Sequence, residues 1–310
     1  VSLPWHFLLL IAVAVSVLAF TVGRYDETLR LTIDPEYFVF RYPRVLLAAA
    51  TGTMLALTGV ILQRLTQNPM AGPELLGISS GTAFGAMSVV MLFGITSGSG
   101  WFWLTGIVSA LVSLGLLMLF NRKNGFTPEK ILLTGMALAA LADAAIRIWM
   151  ATGDFRVQLL LLWMSGSTYQ ATPESALTVG LLAAASLLLI LTLQRWLRPL
   201  SLNPTIACSV GINVPLARLV LIVSSAALTA LSTLLIGPLS FVGLLAPHLA
   251  RMLGARLPKQ QLAAAALIGA SVMMTADWLG RQIMFPYEVP AGMMATLIGG
   301  AYFMMMMRKL

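Results

Sequence analysis

The reactive side chains of this sequence are few, and their spacing gives no sign of an active site. The chain has two histidines, His6 and His248, and a single cysteine, Cys208. The sequence contains no nucleophile beside a base and no GxxxxGK[ST] loop of the kind that holds phosphate. His248 has no second histidine, cysteine or carboxylate near it, which makes it a poor candidate for a metal ligand. We therefore expect no catalytic residue and no metal site, and we expect Cys208 to pack as a small apolar residue.

Charged residues instead occur as pairs inside apolar runs. Asp143 and Arg147 are four residues apart, and Asp277 and Arg281 repeat that spacing. Residues four apart share one face of a helix, so the members of each pair can neutralise each other. We favour a structural role for both pairs. The alternative is that they line an aqueous cavity.

The stretch from Asn68 to Gly81, NPMAGPELLGISSG, combines helix breakers with polar side chains. Its prolines remove amide donors, and its glycines permit unusual dihedral angles. Gly77, Gly81 and Gly85 recur every fourth residue, so one face of the following helix can approach another helix closely. Close packing would not explain Asn68 or Glu74, which we assign to a gate or to the wall of a pore.

Composition indicates which elements must position these residues. Of 310 residues, 59% are hydrophobic and 10% are charged, whereas soluble domains carry about 25% charged residues. Long uncharged runs are typical of transmembrane helices, each of which needs about 20 residues. We predict an all-α polytopic membrane protein in which residues 1–310 form a single domain. The ten predicted spans are about 5–23, 45–63, 80–96, 102–120, 130–151, 175–194, 218–236, 240–251, 262–283 and 291–307.

The connections between the predicted spans alternate in charge. Twelve basic residues fall on one side, where Glu74 and Glu129 are the only acids, and five fall on the other. Because an excess of Lys and Arg marks the cytoplasmic side, we predict that both termini are cytoplasmic. The twelve are Arg64, Arg122, Lys123, Lys130, Arg195, Arg198, Arg218, Arg251, Arg256, Lys259, Arg308 and Lys309, and the five are Arg24, Arg30, Arg41, Arg44 and Arg156.

The Gly-Pro break recurs about half a chain later, in IGPLSFVGLLAPH at 236–248. The first copy joins spans two and three, and the second joins spans seven and eight. Five spans separate them, so the copies would lie in opposite orientations. This arrangement is typical of the inverted-topology repeats of transporters. Chance similarity of two loops is the alternative.

The longest predicted cytoplasmic connection is the segment Arg195–Arg218. We expect Pro199 and Pro204 to end the preceding helix. A short helix Thr205–Val210 is then expected, capped by its first residue and stopped by Gly211. A short surface helix between two spans could serve as a handle for a partner protein, and an inert loop is the alternative.

Four motifs, in this order, resemble those of the membrane permeases of type II ABC importers for vitamin B12, haem and iron–siderophores. They are RYPR (41–44), NPMAGPELLGISSG (68–81), GPLSFVGLLAPHLAR (237–251) and ADWLGR (276–281). Three further stretches resemble the C-terminal half of the ferric-hydroxamate siderophore permease. They are FTPEKILLTGMAL (126–138), LLWMSGSTYQAT (161–172) and FPYEVPAGMMATLIGGAYF (285–303).

The resemblance implies a bacterial inner-membrane permease with ten helices in each of two homologous halves, either fused or separate. A central path would run between the halves, with a periplasmic siderophore-binding protein above and two ATPase subunits below. The permease itself would bind no cofactor, since its partners use the ATP and the iron travels inside its chelator. The present chain would be one such half.

The resemblance also implies roles for matching positions. Arg41, Arg44 and Arg281 would dock acidic residues of the binding protein. Two sets of gate residues would be Asn68 and Met70, and Thr127, Pro128 and Glu129, although Pro128 and Glu129 depart from the small hydroxyl residues usual there. The segment that couples to the ATPase would comprise Thr205, Ile206, Ala207, Cys208, Ser209, Val210 and Gly211. Asn203 and Pro204 replace the glycine and acidic residues usual before it.

These inferences predict alternating access driven by partner ATPases, with a ferric-hydroxamate chelate of the ferrichrome type as the cargo. A haem, vitamin B12 or catecholate-siderophore permease is the alternative within the family. An ion-coupled secondary transporter that uses Asp143 or Asp277 and a scaffold without transport activity are the alternatives outside it.

Overall fold

The computed structural model describes residues 5–25, 28–31, 35–95, 99–122, 127–202, 204–209 and 211–308. Helices dominate this part of the chain, as the uncharged runs predict. Five of them begin at a proline, whose fixed φ suits a first helical turn, where a missing amide hydrogen costs no bond. The helices are α1 (Trp5–Thr21), α2 (Pro35–Thr66), α3 (Ile78–Phe93), α4 (Gly100–Asn121), α5 (Pro128–Ala151), α6 (Phe155–Met164), α7 (Pro173–Leu202), α8 (Pro204–Ser209), α9 (Val214–Ile236), α10 (Val242–Met252), α11 (Pro258–Ile283) and α12 (Ala291–Met307).

Six of these helices contain a segment long and apolar enough to cross a membrane, namely α2, α4, α5, α7, α9 and α11. Shorter apolar helices of 10 to 17 residues coincide with α1, α3, α6 and most of α12. A helix lies at each of the ten predicted spans, and α6 and α8 come in addition. The chain is thus a multi-pass helical membrane protein, while the count of ten crossings stays a prediction.

A β-hairpin after α1 was not predicted from the sequence. Its strands β1 (Val22–Tyr25) and β2 (Thr28–Leu31) pair antiparallel, with Val22 opposite Leu31. The indole Nε1 of Trp278 on α11 donates a hydrogen bond of 3.0 Å to the carbonyl oxygen of Val22. The hairpin is therefore tied to the end of α11 that carries Arg281.

Helix α2 lies at the centre of the fold. Its apolar segment is 83% buried, whereas only 17% of the segment in α5 and 28% of those in α4 and α7 are buried. The faces of α4, α5 and α7 that this chain leaves open are consequently available to lipid or to another polypeptide.

Glycines bring α2 into backbone contact with two neighbours. A Cβ placed on Gly52 would overlap the carbonyl oxygen of Gly269 in α11, and one placed on Gly59 would overlap that of Gly243 in α10. In a membrane such close approach replaces the hydrophobic effect as the source of helix association. The helices α2 and α11 run antiparallel, since Arg64, farther along α2 than Gly52, meets Gln261, which precedes Gly269 on α11.

The glycine face predicted for the third span is confirmed. A Cβ on Gly81 would overlap Oγ of Ser113 in α4, and one on Gly85 would overlap the side chain of Ser109. The Ser109 hydroxyl donates to the carbonyl oxygen of Gly81 at 2.6 Å. Helices α3 and α4 are therefore packed through small residues, with a hydroxyl satisfied by backbone.

The two Gly-Pro breaks meet in space. The first forms a short 3-10 helix (Pro73–Leu76), which is followed by Gly77 at φ 71°. The Pro73 ring lies where a side chain on Gly243 would stand, so this turn packs on the start of α10. The residue before α10, Phe241, has φ 70°, a region that bulky residues rarely occupy. The first connection is thus packed, through its 3-10 helix, on the start of the helix that follows the second.

One boundary prediction is wrong. Helix α7 continues through Pro199 to Leu202, with the proline inside the helix. The prediction for Pro204 agrees with the structure, since α7 ends at Leu202 and α8 begins at Pro204. A proline inside a helix removes one hydrogen bond, and thirty residues of helix supply enough others for α7 to continue.

We expect Gly59→Ala to destabilise the fold, because its methyl group would collide with a backbone oxygen that cannot rotate away. Overpacking of this kind costs about 1–3 kcal/mol. Gly115→Ala on α4 is the matched control, since no atom lies within 4 Å of the added Cβ, and a helical Gly→Ala change stabilises by up to about 1 kcal/mol. Thermal unfolding in detergent compares them, and equal midpoints for the two variants would contradict the contact.

Candidate functional site

The three predicted docking arginines line one cavity, here called the arginine cavity. Its volume is about 450 Å³, and its wall includes Tyr169 and Glu288 besides the arginines. Arg41 and Arg44 come from the first turns of α2, and Arg281 comes from the last turn of α11. The antiparallel packing of these helices is what brings the three guanidinium groups to the same end of the bundle.

Arg44 is held in a fixed orientation by an acid that the sequence did not single out. Its Nη1 and Nη2 donate to Oε1 and Oε2 of Glu288, each at 2.9 Å. The same guanidinium carbon lies 5.1 Å from the centre of the Tyr169 ring. This fork-to-fork pair with an aromatic support is the geometry in which arginine binds carboxylates most specifically.

The predicted pair Asp277–Arg281 is confirmed. Nε of Arg281 donates to Oδ2 of Asp277 at 3.0 Å, and the Thr168 hydroxyl donates to Oδ1 of the same carboxylate. Nη2 of Arg281 also reaches the carbonyl oxygen of Ala19 at 3.4 Å. Because Asp277 is buried while Arg281 still lines the cavity, the carboxylate acts as an anchor that aims the guanidinium.

Among the described residues around the arginine cavity, guanidinium groups outnumber carboxylates. Three guanidinium groups meet two carboxylates, those of Asp277 and Glu288, and Arg41 donates through Nη1 to the carbonyl oxygen of Phe20 at 3.1 Å. The cavity therefore suits an acidic partner surface. It offers no arrangement for bond making or breaking.

The second predicted ion pair is wrong. Asp143 and Arg147 are both exposed on α5, and no ion pair between them is present in the described part of the chain. Their spacing allows a contact, but both side chains are exposed within this chain, so no packed neighbour holds them in the orientation that the contact needs. Both side chains thus remain on the open face of α5.

The first predicted gate segment is a turn between α2 and the 3-10 helix. Oδ1 of Asn68 accepts a hydrogen bond from the amide of Met70 at 2.9 Å, and its backbone oxygen accepts one from Ala71 at 3.1 Å. Asn68 therefore shapes the turn. Met70 extends from it with 47% of its surface exposed.

Glu74 lies in the same connection, outside both spans, in the first turn of the 3-10 helix. Its carboxylate folds back over Gly72, where any side chain would overlap it. The residue is half-buried, yet Oε2 is closed off from solvent and has no hydrogen-bond partner in the described structure. This burial raises the pKa of the Glu74 carboxyl above its ordinary value.

The second predicted gate segment forms the start of α5. Thr127 is the residue before the helix, and its backbone oxygen accepts a hydrogen bond from the amide of Ile131 at 3.1 Å. Glu129 is exposed in the first turn, and the side chain of Pro128 lies outside the described residues. The 3-10 helix packs on the same helix at Gly135, whose Cβ would overlap the Leu75 carbonyl oxygen. The 3-10 helix that follows the first gate segment therefore contacts α5 about two turns from Thr127 in the second.

The predicted coupling segment forms the short helix α8. As predicted, Gly211 stops it, with a φ of 82°. The amide of Gly211 donates to the carbonyl oxygen of Cys208 at 2.9 Å, and the amide of Ile212 donates to the carbonyl oxygen of Ala207 at 3.0 Å. Cys208 is exposed, so the expectation that it packs as an apolar residue is wrong. Val210 and the side chains of Thr205 and Ile206 lie outside the described residues.

His248 packs between aromatic rings. Its ring centre lies 5.9 Å from that of Tyr302 and 6.2 Å from that of Phe303. Within the ranges described above, no group of three or more His, Cys, Asp and Glu side chains could hold a metal ion.

Comparison with known proteins places this geometry in a family. The model of the FecCD transport family matches residues 6–309. The chain is 43% identical over 271 residues to the iron(3+)-hydroxamate import system permease protein FhuB of Escherichia coli, covering 87% of this chain and 41% of that one. It is 36% identical over 272 residues to the Fe(3+)-citrate import system permease protein YfmE of Bacillus subtilis, covering 87% and 80%.

A solved structure agrees along the whole chain. It is an inward-facing conformation of a metal-chelate type ABC transporter, with a TM-score of 0.88, 29% identity and full coverage of both chains. The present chain spans about two fifths of the length of the E. coli relative. Since the family model covers nearly every residue that forms the arginine cavity, the breaks and α8, the chain belongs to the FecCD transport family.

Proposed function

We propose that this chain is one permease half of an ATP-driven importer that carries ferric-hydroxamate siderophores into the cytoplasm by alternating access. The main support for this proposal is the 43% identity to a hydroxamate permease over 87% of the chain. The partners would be a homologous permease half, fused or separate, two ATPase subunits and a siderophore-binding protein. Fold and family support the importer, and the substrate rests on the identity alone.

Transport of another iron chelate is the second candidate. It is favoured by the relative named for ferric citrate, which is 36% identical and matches over most of its own length. Haem, vitamin B12 and catecholate siderophores belong to the same class of bulky chelates. We rank hydroxamates first because the identity is higher.

The arginine cavity would be the docking site for the binding protein. Arg41, Arg44 and Arg281 lie at one end of the antiparallel pair α2 and α11, and Arg64 lies at the other end. From Arg44 to Arg64 the helix rises about 30 Å, which is the thickness of a hydrocarbon core. The positive-inside pattern assigns the arginine cavity to the periplasmic side.

The gate would be formed by the breaks that meet beside α10. Asn68 and Met70 precede the 3-10 helix, and Thr127, Pro128 and Glu129 begin α5, which is largely unburied along its apolar segment. Because contacts inside this chain restrain little of α5 beyond Gly135, we propose that α5 moves when the gate opens. On the same side, α8 with its exposed Cys208 would contact the ATPase.

Reconstitution tests the proposed function. We expect proteoliposomes containing this chain with its partner half and ATPase to accumulate labelled ferric hydroxamate when the binding protein and ATP are supplied on their respective sides. Ferric citrate and haem are the comparison substrates. Uptake that continues without the ATPase, or that collapses only with an uncoupler, would refute an ATP-driven importer.

Charge reversal tests the docking role. We expect Arg44→Glu to weaken the affinity for the binding protein by at least about tenfold, since it places a negative charge among acidic partners. Arg156→Glu is the control, because Arg156 lies on the same predicted side but pairs with Asp154 away from the cavity. Surface plasmon resonance against the immobilised permease measures both, and equal losses in the two variants would count against a specific docking site.

Removal of the buried charge tests the environment of Glu74. A carboxyl whose pKa is raised by folding binds its proton more tightly in the folded state. The free energy of unfolding therefore falls as pH rises from the ordinary value of 4.5 toward the raised value. We expect Glu74→Gln to remove this slope and to be the more stable form near neutral pH.

Thermal midpoints in detergent, measured from about pH 5 to about pH 8, check the sign of this effect. Glu129→Gln is the control, because Glu129 is exposed and its loss should leave the wild-type slope intact. A Glu74→Gln variant that is less stable than the wild type near neutral pH would show that the carboxylate has a partner.

A further inference from the structure

A second polar cavity lies at the opposite end of α2 and α11 from the arginine cavity. It has a volume of about 400 Å³. We call it the glutamine–arginine pocket, and its lining residues are Gln63, Arg64, Gln67, Pro69, Arg251 and Gln261. None of the described residues that line it is acidic. The proposed function assigns no role to this pocket.

Two glutamine side-chain oxygens of the pocket accept hydrogen bonds from its arginines. Nε of Arg64 donates to Oε1 of Gln261 at 2.6 Å, and Nη2 of Arg64 donates to the carbonyl oxygen of Arg256 at 2.9 Å. Nη1 of Arg251 donates to Oε1 of Gln63, whose Nε2 reaches the carbonyl oxygen of Leu244 at 3.3 Å. The side-chain oxygens of Gln63 and Gln261 therefore each face a guanidinium group, which fixes the orientation of these two amides.

Two donors remain without an acceptor. Nη2 of Arg251 and Nε2 of Gln261 are buried and make no hydrogen bond in the described structure. Gln261 is 1% exposed and Gln63 is 4% exposed, so solvent reaches neither side chain freely. Turning the Gln261 amide over would set its nitrogen against Nε of Arg64, leaving two donors face to face. Buried unsatisfied donors are costly, and a charged one is the most costly.

The local electrostatics favour a negative ligand. Two guanidinium groups flank the pocket, and Gln261 lies in the first turn of α11, where the positive end of the helix dipole is found. The two donors without an acceptor come from different helices, α10 and α11, so they approach a bound group from two directions. An oxyanion can accept from both, whereas a cation would be repelled by the guanidinium groups.

We propose that the glutamine–arginine pocket binds a phosphate group, supplied either by the headgroup of an anionic phospholipid or by free phosphate. The positive-inside pattern places the pocket on the cytoplasmic side, where both sources occur. The bound group would accept from Arg251 Nη2 and Gln261 Nε2 and would link the end of α10 to the start of α11. This inference does not depend on which chelate is transported.

The test is the thermal stability of the full chain in nanodiscs of phosphatidylcholine, titrated with inorganic phosphate against chloride at constant ionic strength. We expect the midpoint to rise by about 3 °C at a tenfold excess over the dissociation constant. If a headgroup is the source, nanodiscs of phosphatidylglycerol raise the midpoint without phosphate, and added phosphate has no further effect. No rise in either arm would overturn the proposal.

Variants locate the site. Gln261→Glu keeps the shape of the side chain and places a carboxylate beside the guanidinium groups, so we expect a folded protein with no response to phosphate or phosphatidylglycerol. Lys259→Gln is the control, since Lys259 is an exposed cation in the same helical turn that does not line the pocket; it should keep the full response. Broadening of the phosphorus-31 resonance of phosphate by the wild type is an independent readout. An unchanged response in Gln261→Glu would place the bound anion elsewhere and overturn the assignment.

Discussion

Backbone oxygens of α10 and α11 occupy the space where side chains of α2 would otherwise stand. Gly52 against Gly269 and Gly59 against Gly243 fix the distance and the relative height of three helices at two levels of the bundle. Dispersion contacts at this range replace the hydrophobic effect, which lipid cannot supply between helices. The positions of both polar clusters follow from this contact, since one lies at each end of the α2–α11 pair.

The same contact decides which parts of the chain can move. If α2 and α11 slid along each other, a glycine carbonyl would meet a bulkier group. The end of α11 is also tied to the loop before α7, because the carboxylate of Asp277 accepts hydrogen bonds from Thr168 and Arg281. Helix α5 has one such contact, where the Leu75 carbonyl oxygen lies against Gly135, and its apolar segment is otherwise largely unburied within this chain. We therefore expect opening to involve α5 while the contacts of α2 with α10 and α11 stay intact.

The sequence predicted features that depend on local spacing and missed those that depend on long-range contacts. The four-residue glycine repeat of α3 predicted its close face, and Gly211 predicted the end of α8. Two pairs with identical spacing, Asp143–Arg147 and Asp277–Arg281, had opposite outcomes because only the second is buried among partners. Glu288 could not have been found from spacing, since its partner is 244 residues away.

Pairing of Arg44 with Glu288 has a consequence for the exchange of partners. A binding protein that offers its own carboxylate to Arg44 would replace the carboxylate of Glu288. Little net electrostatic energy is then gained, and the guanidinium group keeps a partner that orients it. An arginine with no internal acid would gain a full ion pair from the partner and would therefore release it more slowly. An internal acid therefore suits a docking surface that must release its partner after every delivery. Arg281 would attract the binding protein without exchanging its own partner, because it stays paired with the buried Asp277.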